Sequence, residues 1–67
     1  MINVWDYVNA KRITITDASG KEYTGDVVCV MDTDENGRDE DDISIQVSKD
    51  MVIGFLQSEI EKIEIVK

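Results

Sequence analysis

Apolar and polar residues alternate with a period of two in several short stretches of this chain, and turn-forming residues separate those stretches. Arg12-Ile13-Thr14-Ile15-Thr16-Asp17 is β-branched through its middle, which predicts a strand with Ile13 and Ile15 facing inward; Ala18-Ser19-Gly20-Lys21 supplies its turn. Glu22 to Met31 reads as a long second strand. Gly25 near its start gives it a place to bend, and from Val27 onward both faces are apolar, as in a strand buried between two halves of a curved sheet. Ile43 to Ser48 alternates cleanly, Lys49-Asp50 makes a tight connection, and Met51 to Leu56 is a fourth strand interrupted by Gly54. Gln57-Ser58-Glu59 reads as one helical turn. Ile60 to Val66 is a last strand, with Ile63 and Ile65 inward and Glu61 and Glu64 outward. Ahead of the strands, residues 3–10 read as a short helix: Asn3 caps it, Asp6 stands in the capping-box position, and Val4, Trp5, Tyr7 and Val8 form an apolar stripe, with Ile2 and Tyr7 placed as a hydrophobic staple. One short helix and five strands joined mostly by short turns make an all-β small barrel or strongly bent sheet, and 67 residues allow one domain, 1–67.

Composition narrows the function. Hydrophobic residues are 42% of the chain and charged residues 33%, enough for a packed globule. The longest apolar run, Val27 to Met31, is far too short to span a bilayer, and the start shows no export signal, so a cytoplasmic chain without a membrane partner is expected. The net charge is −8, of which −6 lies in the acidic loop at residues 32–42, where seven carboxylates face only Arg38. That balance opposes diffuse attachment to phosphate backbones, while leaving room for a small specific nucleic-acid site elsewhere.

Two stretches carry a family resemblance. Gly20-Lys21-Glu22-Tyr23-Thr24-Gly25-Asp26-Val27 places a turn glycine, an aromatic, a bend glycine and an aliphatic residue as the first Sm-like motif does, and Val52-Ile53-Gly54-Phe55-Leu56 is similar to the second. The chain therefore resembles the Sm-like small β-barrels, in which an N-terminal helix precedes five strongly bent strands. The resemblance implies self-assembly through outer strands, or RNA binding, with Asp32 and Asn36 matching the Asp-x-x-x-Asn segment that helps hold a base. Asp32 lies one residue later after Gly25 than that pattern has it, and Ile53 stands where RNA-binding members carry an arginine. An aliphatic side chain there neither stacks like a guanidinium nor bonds a base edge. Tyr23, read as the exposed aromatic of the second strand, completes the candidate RNA-binding set of Tyr23, Asp32 and Asn36. Trp5 and Tyr7 could also stack on bases, but at helical spacing they read first as packing residues.

Asp32-x-Asp34-x-Asn36-Gly37 matches the first half of a calcium loop, with oxygen side chains at alternate positions and a glycine for the sharp turn. The second half fails, because Asp39 stands at the aliphatic position and Ile43 at that of the bidentate glutamate. Asp32, Asp34, Asn36 and Asp41 remain a candidate irregular metal site, against the plainer reading of a solvated connection. Cys29 has no histidine to serve it as a base and reads as a buried or nearly buried strand residue. No phosphate loop, Cys/His metal set or Ser-His-Asp arrangement is present. The chain is accordingly expected to be non-catalytic, without a cofactor or small-molecule substrate, and to act as an interaction module that associates with itself or with a protein partner.

Overall fold

The computed structural model describes residues 2–67 and arranges the strands in one antiparallel sheet of order β4-β3-β2-β1-β5. The strands are β1 (Arg12–Asp17), β2 (Glu22–Met31), β3 (Asp42–Ser48), β4 (Met51–Leu56) and β5 (Ile60–Ile65). The fold is all-β, with helical structure limited to single turns. The turns and the period-two segments account for this: β1 and β3 alternate inward isoleucines with outward polar residues, and Ile13, Ile15, Ile43 and Ile45 are fully buried. Val4, Val30, Phe55, Ile60 and Ile63 complete the core.

The sheet curls over that core. Tyr23 is the second residue of β2, and Val30, seven positions further along it, pairs with Ile43, which in turn pairs with Phe55 of β4. In a flat sheet that offset alone would separate Tyr23 from Phe55 by about 23 Å along the strand direction. Their ring centroids are 5.2 Å apart. β2 bends, and a register shift between Val27 and Cys29 marks a bulge in it. Gly25 of β2 packs directly on the backbone of β3: a Cβ at this position would meet the carbonyl oxygen of Gln46 at 2.3 Å. The glycine is thus required by interstrand contact, its φ not being positive.

Several expectations are corrected. The N-terminal helix is one 3-10 turn, Val4–Tyr7, shorter than residues 3–10; Asn3 caps it through a hydrogen bond from the Trp5 amide at 3.1 Å. Three residues per turn put Val4 and Tyr7 toward the core and leave Trp5 and Val8 at 38% and 43% exposure, so Trp5 is not a packing residue. Gly54 does not interrupt β4, whose ladder runs through it by pairing with Ser44. Tyr23 is half-buried and shares a face with buried Ile15, its direct partner on β1, so it is an inner-face residue and not a surface aromatic. In β5 the buried residues are Ile60 and Ile63, because a bulge opposite Thr16/Asp17 accommodates Glu61 as an extra residue. Ile65 is 54% exposed.

No helix among the described residues is long and apolar enough to cross a membrane.

Candidate functional site

The acidic segment is built as a capped helical turn tied to the body. Asp32 accepts the Glu35 amide at 2.9 Å, and Glu35 reaches back to the Asp32 amide at 3.4 Å, a reciprocal box around the turn Thr33–Asn36. Gly37, with φ of 70°, ends the turn in the left-handed region. Asn36 is the segment's organiser. Its Nδ2 donates to the Glu40 carbonyl oxygen at 2.9 Å and to Asp42 Oδ2 at 3.0 Å, and its Oδ1 accepts the Arg38 amide at 2.7 Å. Glu40 then accepts from the Ser58 amide and hydroxyl, both at 2.7 Å, and Trp5 Nε1 donates to Asp41 Oδ2 at 2.9 Å. The residues after β4 and the N-terminal turn therefore clamp the far end of the acidic segment.

This construction decides what the candidate residues face. Asp32 and Asn36 spend side-chain oxygens on backbone amides of their own turn, Asp34 is exposed, and Asp41 is bonded to Trp5. Among the described residues, no three carboxylate or thiol side chains converge as ligands for a metal ion. Oδ1 of Asp42 is the enclosed side-chain oxygen left without a hydrogen-bond partner among the described residues. Tyr23 stands at the opposite end of β2 from Asp32, with its ring against Phe55 and the Lys21 ammonium 5.3 Å from its centroid. The structure thus brings Asp32 and Asn36 into one turn and packs Tyr23 against Phe55.

Two further features come from residues remote in sequence. β4 and β5 are the two edges of the sheet and do not pair with each other, so each carries an unmatched row of backbone donors and acceptors. Large apolar side chains are exposed on both: Met51 at 53% and Val52 at 54% on β4, Ile65 at 54% on β5 and Val66 at 39% just after it. The outer-strand signal was legible in the apolar run Met51 to Leu56. The exposure of Ile65 was not, since it depends on the register with β1. The second feature is a groove of about 730 Å³ between the N-terminal segment, the end of the acidic segment and the start of β5, lined by Ile2, Glu40, Gln57, Ser58, Ile60 and Glu61. Nothing in the local pattern of these residues signals that they meet.

In comparison with known proteins, the chain matches no family model, no curated protein and no solved structure.

Proposed function

We propose that this chain is a non-catalytic, Sm-like interaction module that associates through its sheet edges, β4 of one copy meeting β5 of the next. One observation carries the reading. Ile65 pairs directly with Ile13 and so shares its face, yet Ile13 is fully buried while Ile65 is 54% exposed. An inner-face isoleucine on an unpaired edge is a core position that lacks a neighbour, and an added strand would supply one. Charge selects the pairing. β4 has no charged residue between Met51 and Leu56, whereas β5 carries Glu61, Lys62 and Glu64, a net charge of −1. Joining β5 to β5 would bring two negatively charged strands together; joining β4 to β5 would not. The order of one short helical turn followed by five strands supports the Sm-like reading. An extended segment of a partner protein could occupy the same edges.

Amide hydrogen exchange tests this directly. Outward amides of β4 and β5 become protected as concentration rises, while those of β1 to β3 do not change; equal exchange at high and low concentration rejects the proposal.

A further inference from the structure

A second binding feature lies at the start of β5, away from Ile65 and Val66. The groove there has an apolar floor, half-buried Ile2 and buried Ile60, and two carboxylates on its rim, Glu40 and Glu61. Among the described residues neither carboxylate has a basic partner: the ion pairs there are Arg12–Asp26 at 2.9 Å and Lys62–Glu64 at 3.2 Å. Lys62, the residue next to Glu61, reaches to Glu64. The Glu40 oxygens are held in place by the Ser58 amide and hydroxyl. These neutral donors fix the carboxylate without cancelling its charge. The Gln57 side-chain oxygen is fixed in the same way, by the Val4 amide at 3.1 Å.

We infer that this groove binds a short basic segment of a partner protein, with one aliphatic side chain seated on Ile2 and Ile60 and flanking lysines or arginines against Glu40 and Glu61. Charge complementarity identifies the occupant. A negative rim, of which Glu40 is itself part of the segment of net charge −6, repels acidic partners and draws cationic ones, and the apolar floor favours an aliphatic anchor over a purely charged chain. The inference does not rest on edge pairing, but Ile60 and Glu61 belong to β5, so the peptide experiment is run at a concentration that gives the mass of one chain.

Fluorescence anisotropy with a labelled short peptide, one leucine flanked on each side by two lysines, tests it. The intact chain binds this peptide, and replacing the leucine with glycine or substituting Glu61→Lys weakens binding by about tenfold. Asp50→Lys, in the exposed β3–β4 turn, makes the same change of charge outside the groove and leaves the affinity within about twofold. Circular dichroism establishes that both variants are folded. Equal losses for Glu61→Lys and Asp50→Lys, or equal binding of the peptide lacking leucine, would mean diffuse attraction and would overturn the inference. So would failure of the intact single chain to bind the peptide.

Discussion

Tyr23 and Phe55 lie on strands that β3 separates, yet their rings meet at a centroid distance of 5.2 Å and an interplanar angle of 57°. The contact exists only because the sheet folds over on itself, which makes the pair a direct reporter of curvature. Tilted aromatic pairs contribute about 0.5–1.5 kcal/mol beyond the area they bury. A double-mutant cycle with Tyr23→Leu and Phe55→Leu, read by chemical denaturation, is expected to give a coupling energy in that range. Strict additivity of the two substitutions would mean that the rings do not meet in solution.

Gly25 serves the same curvature from the backbone side. Any side chain at this position meets the Gln46 carbonyl, which belongs to a strand locked into pairing with β2 and β4 and cannot give way as a flexible side chain would. Gly25→Ala is expected to cost about 2 kcal/mol and Gly25→Val more, the range for overpacked sites. Thermal melts check this, and an unchanged midpoint for Gly25→Val would rule out the close strand crossing.

The turn before β2 makes a prediction about pH. Asp17 Oδ1 accepts from the Ser19 hydroxyl at 2.6 Å, the Ser19 amide at 2.9 Å and the Lys21 amide at 3.0 Å. The Ser19 hydroxyl is the main cause holding this carboxyl below its ordinary value of 3.8, with the amides and the Lys21 charge adding to it. A lowered folded-state value means that ionised Asp17 stabilises the fold at pH above 3.8, and that this contribution is lost as pH falls through the lower folded-state value. Asp17→Asn keeps an acceptor and removes the charge. Its midpoint in urea is therefore expected to lie below that of the unsubstituted chain at neutral pH and to converge with it in acid. A constant gap across that range would contradict the assignment.

Much of this architecture can be read from the sequence because it rests on local rules. The period-two segments Arg12 to Asp17 and Ile43 to Ser48 become strands with their isoleucines inward, as alternation requires. What escapes depends on pairing. Tyr23 sits on the inner face because its partner is Ile15, and Ile60 and Ile63 are buried at a spacing of three because a bulge displaces the register; neither fact is visible before β1 has been aligned with its neighbours. The helical turn inside the acidic segment has a sequence signal of its own. Asp32 with Glu35 three positions on, followed by Gly37, is a start-and-stop signal that the calcium-like spacing of the same residues obscures. The groove at Ile2 and Ile60 has no local signal, since it joins residue 2, residue 40 and residues 57–61, which are far apart along the chain.

The acidic segment gives a metal prediction. Asp32 Oδ1 and Asn36 Oδ1 are engaged by backbone amides, so calcium would have to displace those bonds to gain ligands. Millimolar calcium is expected to raise the melting temperature no more than sodium chloride of equal ionic strength, because diffuse screening needs no coordinating geometry. A calcium-selective rise that disappears in Asp32→Ala or Asp34→Ala would establish a specific site and reverse this expectation.

Self-association through the edge strands is the central claim, and the mass of the particle in solution tests it most directly. Light scattering on a sizing column at tens of micromolar should give a mass that is a multiple of the 7.6 kDa chain. Val52→Lys on β4 or Ile65→Lys on β5, each at an exposed position and so compatible with folding, should return it to a single chain. A mass of one chain at every concentration, with both variants behaving as the unsubstituted protein does, would contradict the account.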